Sequence, residues 1–252
     1  MTPVLLLLLF LSLTAIPPGA TTDGFLDTSE IIERANADIA TSLTYGDIVP
    51  NKNRNADPCT ARGCKWPKSG SHVIVPVVIS SRYSRNEQMV IIKSLLTFQW
   101  FTCIRFVWKG PRHKHYLYFF PGTGCWSHLG RQSRGQAISL KKKGCLYTRT
   151  VQHEVFHALG FHHEQVRSDR DRYVSILSQN IKPGKESNFR KVQTNNLGTP
   201  YDFNSVMHYS NYAFSKNRKQ TIIARKNPHM SFGQARFMSA NDIARINKLY
   251  QC

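Results

Sequence analysis

The sequence predicts an α+β fold, and three observations carry that expectation. Short Val-, Ile- and Phe-rich runs of strand length cluster between residues 72 and 140. Two longer stretches, 86–101 and 150–161, have helical character. The last third is irregular until a closing amphipathic helix. Taken in order, residues 29–40 read as a short helix with Ser29 as its cap. His72–Ile79 reads as a strand, and Pro76 inside it points to an edge or a bulge. Residues 86–101 place Met89, Ile92, Leu95, Leu96 and Trp100 on one helical face. Ile104–Trp108, Tyr116–Phe120 and residues 136–140 read as short strands. Residues 150–161 form a second helix. After it no regular element is expected before a helix over 241–250, with Ser239 near its start. There is no internal repeat, and no low-complexity run beyond the first twenty residues.

Composition narrows the class. The chain has 252 residues, 41% apolar and 19% charged, which is enough to bury a core and rules out a disordered tail or a multi-span membrane protein. Lys and Arg number 34 against 15 acids, a formal charge of +19. Such a balance predicts adsorption to polyanions. Nucleic acid is the first candidate, and the N-terminus argues against it. Residues 4–16 are apolar except for Ser12 and Thr14, too short a run to span a bilayer comfortably, and small residues and prolines follow as far as Ala20. Residues 1–20 therefore read as a secretory signal, although no Lys or Arg precedes the apolar run. The expected product is secreted, by way of secretory granules, with no membrane insertion and no nucleic-acid partner. An extracellular coat or matrix replaces nucleic acid as the acidic surface.

Six cysteines follow: Cys59, Cys64, Cys103, Cys125, Cys145 and Cys252. An even count in a secreted chain predicts three disulfides, and fifteen pairings are open by spacing alone. No Asn-x-Ser/Thr sequon is present. Charge divides the chain as well. Residues 21–54 carry six acids against three bases, which leaves residues 55–252 at +22. An acidic segment ahead of a basic body reads either as a removable pro-segment or as an ordinary N-terminal helix and linker. The polar stretch Lys52-Asn53-Arg54 is a natural place for nicking.

The second helix carries the chemistry. His153 and His157 lie four residues apart, so a helix projects them from one face, where they can share a metal. Glu154 sits beside the first of them, able to hold a water on that metal. Gly160 permits a sharp exit through positive φ, and the chain can then bring His163 to the same ion. His162 has the wrong spacing. The pattern is H-E-x-x-H-x-x-G-x-x-H, with three neutral ligands and an open position, which describes one catalytic zinc rather than a structural one. The uncompensated charge of the ion would acidify a bound water, and Glu154 would accept its proton and pass it to the leaving amine. That chemistry is peptide hydrolysis without a covalent intermediate. Downstream, Ser205-Val206-Met207-His208-Tyr209 places Met207 in a tight turn as an apolar floor for such a site, with the Tyr209 hydroxyl available to an oxyanion.

These residues resemble the astacin family of zinc endopeptidases over nearly the whole chain after the signal. The zinc helix fits, and so do its tail (His163-Glu164-Gln165, then Arg167-Ser168-Asp169-Arg170-Asp171) and the Met-turn. The resemblance implies a metzincin architecture: an N-terminal subdomain with a twisted mixed sheet and two long helices, an irregular C-terminal subdomain, and a cleft between them. It implies that His153, His157 and His163 bind the zinc, with Tyr209 as a fifth ligand at rest that swings away during turnover. It implies that Glu164 receives the new N-terminus after activation. Tyr45-Gly46-Asp47-Ile48 is similar to the family's pro-peptide motif, with Tyr45 where a Phe standing earlier is usual. Asp47 is then a zinc ligand in the zymogen, and the segments are a signal (1–20), a pro-peptide (21–54, cut near Arg54 and Asn55) and a peptidase domain (55–252). The family pattern pairs Cys103 with Cys252 and Cys125 with Cys145. The remaining pair, Cys59 with Cys64, is similar to that of the six-cysteine astacins of fish, which include hatching enzymes. On this resemblance the expected substrate is an extracellular protein of an egg envelope or matrix, and the expected state is a monomer without appended adhesion modules. Two kinds of alternative stay open: a six-cysteine astacin of adult digestive or immune secretion, and a zinc-scaffold or heparin-type matrix-binding protein with no activity. Glu154 argues against the last, because a binding module needs no base.

Overall fold

The computed structural model describes residues 26–39, 43–50 and 64–252. The expected signal, the cleavage point near Arg54 and Asn55, and Cys59 lie outside the described residues. A seven-stranded mixed sheet forms from β1 (Ile48–Val49), β2 (Lys68–Ser69), β3 (His72–Ile79), β4 (Ile104–Trp108), β5 (Tyr116–Phe120), β6 (Cys125–His128) and β7 (Gly135–Leu140). Its order is β1-β6-β7-β5-β3-β2, with β4 also paired to β3. The β6–β7 and β2–β3 pairs are antiparallel, and the rest are parallel. β3 is thus an interior strand, not the edge that Pro76 suggested. Val73 donates to Cys103 O, so odd-numbered residues of β3 face β4 and Pro76 faces the other way. On that side β2 pairs only as far as Val73 and β5 begins only at Val77, so the missing N–H of Pro76 falls in a gap between partners.

Five α-helices are described: α1 (Thr28–Ala35), α2 (Arg85–Phe101), the single irregular turn α3 (Lys142–Cys145), α4 (Thr148–Ala158) and α5 (Ala240–Tyr250). α1 begins a residue before the expected start and stops well short of residue 40. Its cap is Asp27, whose Oδ1 accepts from Glu30 N–H at 2.8 Å, and not Ser29. α2 starts with a capping box between Ser84 and Glu87. Its inner residues Ile91, Leu95 and Phe98 meet Val151, Val155 and Phe156 of α4 and the sheet in the main core. α4 ends at Ala158, earlier than expected, because Gly160 takes a φ of +101°. Its last carbonyls are all used: Gly130 N–H donates to His157 O (2.8 Å), the Trp66 indole to Ala158 O (2.9 Å) and the Tyr250 hydroxyl to Leu159 O (3.0 Å). The end of the helix that carries His157 is therefore pinned from three sides.

A second core of Val174, Ile181, Phe189, Tyr201, Tyr209, Phe214, Ile222 and Phe232 organises the later part of the chain. That part is less irregular than the sequence suggested, since β8 (Val174–Ile176) and β9 (Ile222–Ala224) form an antiparallel pair. Three-residue strands are too short to show periodicity. Disulfides join Cys103 to Cys252 and Cys125 to Cys145. Cys64 is also disulfide-bonded. No helix among the described residues is long and apolar enough to cross a membrane.

Candidate metal centre and active site

α4 projects His153 and His157 toward one point, and the turn after Gly160 returns His163 to it. His153 Nε2 lies 3.1 Å from His163 Nε2 and 3.2 Å from His157 Nε2. Asp47 completes the group: its Oδ2 is 3.0 Å from His153 Nε2 and 3.2 Å from His163 Nε2, and its Oδ1 is 3.4 Å from His157 Nε2. All four residues are buried. No other cluster of three or more His, Cys, Asp or Glu with metal-binding geometry occurs among the described residues.

The donor chemistry fits zinc. His153 Nδ1 faces Val206 O at 2.9 Å and His157 Nδ1 faces Phe161 O at 2.8 Å. A carbonyl can only accept, so both Nδ1 atoms carry the proton and both Nε2 atoms present a lone pair. Lone pairs cannot bond one another, and a cation at their centre satisfies them all. A tetrahedron with bonds of about 2.0–2.1 Å has edges of about 3.3 Å, close to the separations seen here. Burial lowers His157 and pushes His163 down to about 3. Burial alone would raise the Asp47 carboxyl, but the imidazoles of His163, His157 and His153 outweigh it and hold that group well below the usual carboxylate range.

Glu154 has no exposed surface, and neither of its oxygens has a hydrogen-bond partner. Burial, with the charge of Asp47 nearby, raises its carboxyl well above the usual range. A buried carboxyl group without a hydrogen-bond partner is costly to keep, and it marks a site where a polar group is to be received.

The turn at 205–209 supports the cluster through its backbone. Val206 O orients His153, and Met207 O accepts from Glu164 N–H at 3.0 Å. The Met207 side chain is buried in the main core. Tyr209 packs its ring 4.7 Å from that of His163, while its hydroxyl donates to Tyr45 O rather than to the histidine cluster. His208 Nδ1 is 2.6 Å from Tyr209 O, and its Nε2 accepts from the Tyr201 hydroxyl at 2.8 Å. Burial drives His208 down to about 4, which makes it a neutral brace for the turn. His162, set aside on spacing, lies outside the cluster with its ring 5.5 Å from Tyr45.

Glu164 is buried and saturated. Its Oε1 accepts from Asp202 N–H (2.8 Å), Arg245 (2.7 Å) and Arg167 (3.3 Å), and its Oε2 accepts from Arg245. Burial raises its carboxyl and the two guanidiniums counter that. A small, partly open pocket lies beside it, with Arg167 and Arg245 in the wall. Removing one partner of such a pair strands a buried charge, so Arg245→Leu is expected to cost about 3–5 kcal/mol, read as a lower urea midpoint at unchanged m-value.

Three contributors escaped the sequence reading. Asp242 of α5, fully buried, accepts from Ser205 Oγ (2.6 Å), Val206 N–H (2.9 Å) and Ser239 N–H (3.0 Å), tying the helix cap to the turn that orients His153. Ser239 three residues before an acid is a capping signature, so half of that role could have been found. Asn36 pairs its side-chain amide with both backbone groups of Cys125 (2.7 and 2.8 Å) and with Gly46 O (2.9 Å). No local signal announces that bridge. β6, to which it docks, was not expected as a strand.

Comparison with known proteins was made on this geometry. The family model described as Astacin, a peptidase family, matches residues 60–251. The chain is 44% identical over 232 residues to high choriolytic enzyme 2 of Oryzias latipes, covering 91% of this chain and 83% of that one. It is 44% identical over 231 residues to the low choriolytic enzyme of the same fish, covering 90% and 84%. Among solved structures, high choriolytic enzyme 1 from Oryzias latipes, described as a hatching enzyme zinc-protease, superposes with a TM-score of 0.73 at 46% identity, covering 75% of this chain and 95% of that one.

Proposed function

The chain belongs to the astacin family, and from that membership we propose that it is a secreted zymogen whose processed form digests egg-envelope protein. It is a zinc metalloendopeptidase acting on protein substrates. The observation that carries the site assignment is the buried, unpartnered Glu154 carboxyl next to three imidazoles whose Nε2 atoms converge.

His153, His157 and His163 hold the zinc, oriented by the carbonyls of Val206 and Phe161. Bound there, zinc supplies a Lewis-acid centre that polarises the scissile carbonyl and acidifies a coordinated water. Glu154 accepts the proton of the attacking water and delivers it to the leaving amine. The Tyr209 hydroxyl, freed from Tyr45, donates to the developing oxyanion. Met207 and Asp242 keep the supporting turn in place.

Residues 21–54 are the pro-segment in this reading, ahead of a peptidase domain at 55–252 and behind a signal at 1–20. Asp47 fills the fourth position of the cluster. β1 pairs in parallel with β6, and Ser127 N–H donates to Asp47 O at 3.0 Å, so the segment covers the strand edge that an extended substrate would use. On cleavage near Arg54 and Asn55 that edge is released, and the pocket beside Glu164 gives the new N-terminus room to dock. The disulfides favour an oxidising compartment. The +22 body suits an acidic coat as substrate, and three similar fish proteins are named for choriolytic activity.

The test is cleavage of egg-envelope protein and casein by the processed chain, with and without a zinc chelator. Both are expected to be cut, envelope faster, with complete loss on chelation and recovery on zinc addition. Casein cleavage without envelope preference would move the assignment to an adult-tissue secretion. No cleavage of either, with one zinc bound per chain, would leave only a binding role.

A further inference from the structure

α1 places Ser29 and Glu33 four residues apart, on one face. Ser29 Oγ accepts from Ser210 N–H at 2.9 Å. Glu33 Oε2 accepts from Phe214 N–H at 2.9 Å, and its Oε1 pairs with the Lys182 ammonium. The receiving frame is fixed. Lys182 N–H donates to Phe214 O at 2.8 Å, and Ile181 bridges Ser215 in antiparallel fashion. Phe214 holds a φ of +54°, a left-handed conformation that a non-glycine residue keeps only where its surroundings compel it. The frame adjoins the metal cluster: the Phe214 ring lies 5.5 Å from that of Tyr209, and a Cβ added to Gly46, next to Asp47, would stand 3.0 Å from Phe214 Cζ.

We propose that Lys182 with the backbone N–H groups of Phe214 and Ser210 is a substrate subsite of the processed cleft, and that it takes an acidic side chain of the protein being cut. Loss of the leader removes both acceptors at once. The two N–H donors and the ammonium then face whatever chain lies in the cleft. The Ser210 N–H suits a peptide carbonyl. The Phe214 N–H and Lys182 together suit a carboxylate, because a charged acceptor strengthens both bonds where an amide or a cation does not. Glu33 is the carboxylate that fills this position before processing. Lys182 is 48% exposed, so the selectivity is moderate, about two- to fivefold for Glu over Gln.

The inference rests on residues 21–54 being a removable segment. The experiment uses the full-length chain, processed after folding, as wild type, Lys182→Ala and Lys182→Glu. A peptide series carries Glu, Gln or Lys at each position flanking the scissile bond. One position is expected to favour Glu over Gln, chiefly through KM. That preference should vanish in Lys182→Ala and invert in favour of Lys in Lys182→Glu. Acid-blind cleavage by the wild type, or an acid preference that survives Lys182→Glu, overturns the subsite. Full activity in the unprocessed chain overturns the underlying reading of the leader instead, so the two failures are distinguishable.

Discussion

Glu154→Gln will keep the fold and bind zinc while losing about 10²–10⁴-fold in kcat/KM, the range that a positioned proton-transfer group contributes. Gln is chosen over Ala because it retains volume in a position with no exposed surface, so no cavity confuses the result. The substitution also replaces a buried carboxylate that has no hydrogen-bond partner with a neutral amide. Burial and the Asp47 charge already favour the neutral form of this carboxyl, so a neutral amide of the same volume is expected to leave stability nearly unchanged. A large loss of activity at unchanged stability separates a catalytic base from a packing residue, for which both would fall together. The check is kcat/KM on a short peptide with zinc content and thermal midpoint measured on the same sample. A processed variant that keeps a tenth of the wild-type rate would remove Glu154 from the mechanism.

The parts of this site that the sequence announced are those built within one stretch of chain. His153, Glu154 and His157 are organised by helical repeat alone, and Gly160 declares the turn that returns His163. α2 was legible from its apolar face, and α5 from Ser239 and its amphipathic pattern. The unannounced parts depend on contacts across long separations. Asn36 reaches Cys125, 89 residues away, and Asp242 reaches Ser205, 37 away. β6 is four residues with two polar members, β8 and β9 are three each, and none is long enough to show alternation. Pro76 misled because it was weighed against a continuous ladder, whereas β3 has a discontinuous set of partners on the side that Pro76 faces. Ser29 looked like a cap from its type and place, yet its hydroxyl serves Ser210 and leaves capping to Asp27. Asp47 came from motif resemblance, for Gly-Asp is common in turns. Its seat against three imidazoles, 106 residues from His153, is visible only in the folded chain.

If residues 21–54 are the pro-segment proposed above, Asp47→Ala should give a chain that is active before processing. Its carboxylate is the one acid in the histidine cluster, and the zinc that these neutral imidazoles would hold is the charge that balances it. Breaking a buried charge pair by removing one partner costs about 3–5 kcal/mol, which would shift the closed-to-open balance of the segment by about two to four powers of ten. The rest of the clamp survives the substitution. Asn36 still bridges Gly46 and Cys125, β1 still pairs with β6, and Glu33 still meets Lys182. The unprocessed variant should therefore stay below the processed enzyme while exceeding the unprocessed wild type by at least about tenfold. A short fluorogenic peptide reports this in the first seconds, before any change of chain size on a gel. Asn36→Ala should give a smaller leak, since it removes neutral hydrogen bonds worth about 1 kcal/mol each and leaves the carboxylate in place. After processing, the Asp47 variant and the wild type should be indistinguishable, because the residue has left with the segment. If the unprocessed Asp47→Ala chain stays as silent as wild type, the block is steric: the covered edge of β6 and the engaged Tyr209 hydroxyl suffice for latency without a carboxylate at the histidines.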